Sequence, residues 1–304
     1  MYSEVSKNRT EIMGIAMLMV LFFHFFAWVY NPIGRFNIGY VGVDIFLFLS
    51  GIGLASSYEK NSIRRFYRNR INRLYPIYFI ALCLTWLIFP LNWNISDFIN
   101  NALTIGFYLN GGENRYDWYV ESLFTLYLLF PLFYQLGKLR YYGLVIVFIA
   151  TTVILRLTYL QWWYDCLIGR LPIFLYGIMF KHLSVRSFLI IGLFGLVLYI
   201  PCFKISIFLA SSLLVPALIF VSIKIINVQC LWLKHSMSYL GEKSLEIYLS
   251  NLFVYWTFQV YDIGSVMTRA VLYLVIQSVV SFILIRINIC VQNKLNYKKS
   301  LRPF

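Results

Sequence analysis

Charge is scarce in this chain: Asp, Glu, Lys and Arg make up 12% of its 304 residues, and the acidic residues number only 12. Hydrophobic residues reach 61% and the mean hydropathy is +0.73. That balance excludes a water-soluble globule, which needs far more polar surface to cover its core. The five cysteines, Cys83, Cys166, Cys202, Cys230 and Cys290, are scattered without metal-ligand or redox spacing, so no metal is expected. A phosphate-binding glycine loop, a zinc motif and a serine-hydrolase elbow are all missing from the sequence.

What the chain does contain is a succession of apolar runs, each close to the ~20 residues a helix needs to cross a bilayer. Breakers and charges place them near residues 11–29, 38–58, 74–90, 118–136, 143–160, 167–182, 187–203, 206–226, 238–258 and 266–289. The runs are continuous rather than alternating, which predicts helices instead of a barrel. The expectation is an all-α, polytopic integral membrane protein of about ten crossings, with residues 1–304 forming one domain. The sixth run is short and carries Arg170 and Pro172. Asp97 to Asn110 is too short and too rich in Asn to cross, and reads as a surface or re-entrant helix. The first run lacks a small-residue cleavage site and is expected to be retained.

The formal net charge is +14. Most Lys and Arg fall on alternate loops, and the positive-inside rule then turns both termini to the cytoplasm. The charge thus reports orientation in a bilayer and implies no nucleic-acid partner. Trp28, Tyr30, Trp93, Trp118, Trp162, Trp163 and Tyr164 gather at the proposed outer ends, as ring anchors at headgroup level do. Gly51, Gly53, Ala55, Ser56 and Ser57 read as small residues for close helix packing, and Glu242, Lys243 and Glu246 as an ion-paired cap on the ninth helix.

An ionisable side chain inside a spanning run needs a partner or a task. His24 lies in the first run and Asp44 in the second, each about five residues from the proposed outer end. Equal depth suggests a carboxylate-imidazole pair, a general base for a hydroxyl nucleophile. The same pair could equally hold two helices together. Lys60, Arg64, Arg65, Arg68, Arg70 and Arg73 concentrate six of the 26 basic residues in one proposed cytoplasmic loop. Arg70 and Arg73 share a helical face suited to clamping phosphates; attraction to anionic lipid is the simpler reading. Glu121, behind Trp118 and Tyr119 at the mouth of the fourth run, could orient a sugar stacked on those rings, or the rings could serve as anchors.

In these segments the chain resembles the bacterial integral-membrane acyltransferases of the acyltransferase-three family. The resemblance rests on Val20-Leu21-Phe22-Phe23-His24-Phe25, Gly42-Val43-Asp44-Ile45-Phe46-Leu47-Phe48-Leu49-Ser50-Gly51, Arg70-Ile71-Asn72-Arg73-Leu74-Tyr75-Pro76-Ile77-Tyr78, and Trp118-Tyr119 with Tyr127 and Pro131. Arg170-Leu171-Pro172-Ile173-Phe174-Leu175-Tyr176-Gly177 and the run from Leu240 to Leu249 extend it over nearly the whole chain. It implies an acyl group, usually acetyl, carried from cytosolic acyl-CoA (acetyl-CoA) to a hydroxyl of an extracytoplasmic glycan or other envelope molecule, in a cytoplasmic membrane. His24 would be catalytic with Asp44 positioning it; Arg70, Arg73 and neighbouring Arg68 would hold the donor. Two departures stand out. Many members carry an Arg where this chain has Met13, with Arg9 one turn lower, and a later His of some members is Asn251 here.

Two other functions fit polar residues within a membrane bundle. A proton-coupled transporter of a glycan or lipid-linked precursor would use His24 and Asp44 as proton sites, although the repeated halves common in transporters are not evident. An envelope-assembly scaffold would need them only for folding.

Overall fold

Helix is the only regular structure among the described residues, as expected where lipid forces each segment to satisfy its own backbone amides. The structure, a computed structural model, describes residues 1–30, 38–89, 94–109, 118–158, 162–228, 230–261 and 263–300, with side chains to 295. Trp93, Asn110, Arg35, Arg115 and Arg302 lie outside that set, as do the last residues expected of the third and fifth runs. In chain order the helices are α1 (Tyr2–Lys7), α2 (Arg9–Val29), α3 (Ile38–Lys60), α4 (Ile63–Ile88), α5 (Ile95–Ala102), α6 (Gly106–Leu109), α7 (Trp118–Leu128), α8 (Phe130–Lys138) and α9 (Tyr141–Leu157). They continue as α10 (Trp162–Ile168), α11 (Leu171–Met179), α12 (Val185–Phe203), α13 (Ile207–Leu213), α14 (Val215–Ile226), α15 (Leu231–Glu242), α16 (Ser244–Val260) and α17 (Val266–Ser300).

Five of these, α2, α3, α4, α12 and α17, are long and apolar enough to cross a membrane, and α7 with α8 and α13 with α14 bring the number to seven among the described residues. The protein is therefore an all-α, multi-span membrane protein. The other expected runs are broken or shorter. The sixth is the clearest correction: α10 stops at Ile168, Arg170 caps α11, and α11 has nine residues, about 13 Å of helix against a ~30 Å hydrocarbon core. The stretch from Asp97 holds two short helices, α5 and α6, joined at Thr104 with φ 60°. The Lys60 to Arg73 loop is also corrected, because Ser62 accepts a hydrogen bond from the Arg65 amide and starts α4 there.

The chain divides into two compact units. The first contains residues 1–24, 33–60 and 128–244. Its centre is α11, buried from Pro172 to Met179 and packed on α3, α8 and α9. A helix apolar on every side must be enclosed. Glycine permits the approach to α3: a Cβ on Gly177 would meet the Phe48 carbonyl, and one on Gly51 would lie 2.6 Å from the Phe174 carbonyl oxygen. Asp44 and Arg170 join the same helices through a fully buried ion pair, Arg170 Nε to Asp44 Oδ1, 2.6 Å. Ser211 on α13 donates to the other carboxylate oxygen at 2.6 Å, and Arg170 Nη1 donates to the Cys166 carbonyl at the end of α10 at 2.5 Å. One carboxylate thereby ties α3, α11, α13 and, through Arg170, α10.

The second unit contains residues 25–32, 61–127 and 245–304. Here α17 packs on α4, and α4 on α5. A polar stripe on α17 faces α16: Gln277 Nε2 donates to Ser250 Oγ at 2.6 Å and to the Ile247 carbonyl at 2.9 Å, and Asn288 Nδ2 donates to Glu246 Oε1 at 2.5 Å. Glu246 is thus held by an amide. The ion-paired cap expected from Glu242, Lys243 and Glu246 is not formed among the described residues.

Gly177→Leu should lower the unfolding temperature of the detergent-solubilised protein by several degrees, since overpacking a close helix contact costs ~1–3 kcal/mol or more. Gly264→Ala, which nothing approaches within 4 Å, should leave it unchanged. Asp44→Asn removes the counter-charge of Arg170 and should cost about 3–5 kcal/mol, whereas the double change Asp44→Leu with Arg170→Met should recover most of it. An Asp44→Asn protein melting at the parent temperature would show that the pair does not hold these helices.

Candidate active site

The candidate residues named from the sequence occur in both units, and each set follows from its own helix. In the first unit, α2 and α3 run antiparallel. Gly39 lies against Phe23, Gly42 against Ala16, Met19 and Val20, and Arg9 against Gly53, where its Nη2 donates to the Leu49 carbonyl at 3.3 Å. Small residues on α3 set this register by letting α2 come close.

His24 is buried at 7% exposure near the end of α2, its ring 5.4 Å from that of Phe23. The register places it level with Gly39, so Asp44 lies five residues further along α3, about 8 Å deeper at 1.5 Å per residue. The equal depth expected of His24 and Asp44 is therefore corrected. Both hydrogen bonds of Asp44 go to Arg170 and Ser211. The cause is the close α2–α3 contact, which fixes a stagger that hydropathy does not encode.

Rings connect the two groups instead. Phe23 packs on Tyr40 with centroids 5.1 Å apart, Tyr40 meets Phe208 edge-on at 5.1 Å, and the Arg170 guanidinium lies over Phe208 at 4.5 Å and Tyr40 at 5.9 Å. Asp44 thus fixes Arg170, Arg170 fixes Tyr40, and Tyr40 backs the Phe23 ring beside His24. Asp165 completes the frame by accepting from Ser206 Oγ at 2.6 Å, whose oxygen caps the first amides of α13. Arg9 reaches α3 near Leu49, well below His24.

In the second unit, α4 carries the basic face. Arg68 and Arg73 are exposed and Arg70 is half-buried, its guanidinium 5.0 Å from the Phe66 ring centre. None of the three has a carboxylate partner among the described residues. Their forked N–H groups therefore remain open to an anion.

The Trp118, Tyr119 and Glu121 group is placed differently from expectation. Glu121 is fully buried, and its Oε2 accepts the Phe107 amide at 2.9 Å, anchoring α6. Tyr119 is buried against Tyr248, centroids 5.4 Å apart, and only Trp118 remains half-exposed. A mouth open to a sugar is not formed by Tyr119 and Glu121. Asn251, at the position where some acyltransferases carry histidine, turns its amide back on the Ile247 and Tyr248 carbonyls at 3.2 and 3.3 Å.

Sequence reasoning missed Arg170 and Ser211 as partners of Asp44. The usable signal was the cost of a lone carboxylate in an apolar span, which demands a cation from another helix. Arg170 stands inside an apolar run, as Arg156, Arg269 and Arg286 also do, and hydropathy does not rank them, although of these Arg170 alone opens one of the segments that carry the family resemblance.

A 160-residue stretch is 25% identical to the protein named "Putative acetyltransferase ORF330" of Acidianus two-tailed virus, covering 51% of this chain and 48% of that one. The chain thus spans about half the length of that relative. No solved structure matches. The family model described as an acyltransferase domain matches residues 13–286, which include His24, Asp44, Arg70, Arg73 and Arg170. With nearly the whole chain inside that match, the protein belongs to the acyltransferase-three family.

Proposed function

We propose that the protein is a membrane-bound O-acyltransferase that moves an acyl group, acetyl in the simplest case, from cytosolic acyl-CoA to a hydroxyl of an extracytoplasmic glycan or related envelope molecule. The observation that carries this reading is His24, a buried imidazole in an apolar span within the family-matched residues. An ionisable ring placed in such a span calls for a partner or a task.

In the proposed reaction, His24 takes the proton of the acceptor hydroxyl as its oxygen attacks the thioester carbonyl. The carbon–sulfur bond breaks, and the imidazolium returns the proton to the departing thiolate, so ester and free CoA thiol are the products. Arg170, Tyr40 and Phe23 act as positioning residues for His24, with Asp44 holding Arg170. Arg70, Arg73 and Arg68 grip the phosphates of the donor from the cytosolic side, a role supported by the lack of a carboxylate partner for any of them among the described residues. Trp118 offers an accessible ring to a sugar face, and Glu121 supports it by fixing α6. Both termini face the cytosol, and the protein resides in the cytoplasmic membrane. Under this reading Arg9 does not replace the family arginine missing at Met13, because its side chain is directed to Leu49 and Gly53.

His24→Ala should abolish acetylation of the cell's surface polysaccharide, measured by mass spectrometry of glycans from cells that produce the variant at normal membrane levels. Unchanged acetyl content would rule out His24 as the reacting base. Arg70→Gln and Arg73→Gln should each raise KM for acyl-CoA roughly tenfold or more, as loss of a charge-assisted hydrogen bond of ~1.5–3 kcal/mol predicts, with kcat largely kept. If steady-state kinetics instead give a lower kcat at unaltered KM, these arginines do not hold the donor.

A further inference from the structure

A cavity of about 250 Å³ lies in the first unit between α9, α11, α12, α13 and α14. Its wall is apolar, with Leu144, Val145 and Phe148 on one side and Phe194 and Leu198 on the other. Apolar cavities stay dry, and an empty one of this size forfeits dispersion contacts along its whole lining. Val145 and Phe194 are 54% and 63% exposed, so the space opens between α9 and α12. The outward faces of those helices carry Ile149, Val153, Leu193 and Val197, surface suited only to lipid.

One end of the cavity differs. Tyr176 lines it, is 2% exposed, and its hydroxyl has no partner among the described residues. The Tyr176 ring stacks on Phe188, centroids 6.5 Å apart. The next residue back, Ser187, accepts the Tyr141 hydroxyl at 2.6 Å. Tyr176 therefore marks the end at which α9 and α12 begin. There, Arg140 caps α9 and Arg186 stands in the first turn of α12, both exposed and without a carboxylate partner among the described residues. An apolar channel, one buried donor and two open cations in that order match the layout of an anionic phospholipid.

We infer that this unit holds one anionic phospholipid, with a hydrocarbon chain in the cavity, an ester carbonyl accepting the Tyr176 hydroxyl, and the headgroup phosphate beside Arg140 and Arg186. The occupant is a bilayer lipid rather than a free phosphate or soluble metabolite, because the greater part of its contact is apolar and continuous with the lipid-facing surface. The site uses none of the residues assigned to donor and base, and it stands whatever reaction the protein performs.

Native mass spectrometry of the full chain, released from vesicles of equal phosphatidylglycerol and phosphatidylcholine, tests it. The parent protein should retain one lipid, enriched in phosphatidylglycerol. The double variant Val145→Trp, Leu198→Phe should reduce retention about tenfold, as loss of two buried methylenes predicts. Arg140→Gln with Arg186→Gln, on exposed positions that leave the fold alone, should reduce the preference for phosphatidylglycerol about fivefold or more. Equal retention of both lipids by the parent protein overturns the headgroup assignment. Undiminished retention in a folded cavity-filling variant, or a parent protein that carries no lipid, overturns the site.

Discussion

The buried ion pair between Asp44 and Arg170 is the constraint around which the first unit is organised. A carboxylate in an apolar span is costly, and the cost is offset only when a cation and a further donor reach it together. Arg170 and Ser211 meet that need from α11 and α13. The short α11 is the consequence. To bring a guanidinium to Asp44 the chain breaks after Ile168, and Arg170 caps both the helix it ends and the helix it begins. Glycines at Gly51 and Gly177 then let α3 and α11 close over the pair.

The same pair gives His24 its surroundings. Arg170 lies over Tyr40 and Phe208, Tyr40 packs on Phe23, and Phe23 contacts His24. This ring chain transmits position from the ion pair to the imidazole. In the second unit Arg68, Arg70 and Arg73 of α4 have no carboxylate partner among the described residues, while the buried acids Glu121 and Glu246 are occupied by a backbone amide and an asparagine. This division leaves the basic face open to an anion and keeps the acidic side chains structural.

Much of this was legible in the sequence. The apolar runs gave an all-α membrane protein because lipid permits few alternatives, and the isolated His24 marked itself by standing where an ionisable group is expensive. Gly51 announced a close helix approach. Other features were misread for identifiable reasons. The sixth run, 167–182, extends across Arg170 because a single arginine hardly alters a window average, whereas the helix breaks there between α10 and α11. Glu121 and Tyr119 looked exposed because they follow a tryptophan at a span end. Their burial depends on α6 and on Tyr248, far away in the chain.

The sequence by itself determined the solvent this protein lives in, the helical character of its segments and its family, and it singled out His24 as the imidazole within an apolar span. Each follows from local composition or from residue order, which need no partner. Only the tertiary structure decided which cation meets Asp44, how α2 is staggered against α3, and which arginines remain open to an anion. Those outcomes depend on side chains more than a hundred residues apart, and on glycine contacts whose geometry is set by packing and not by hydropathy.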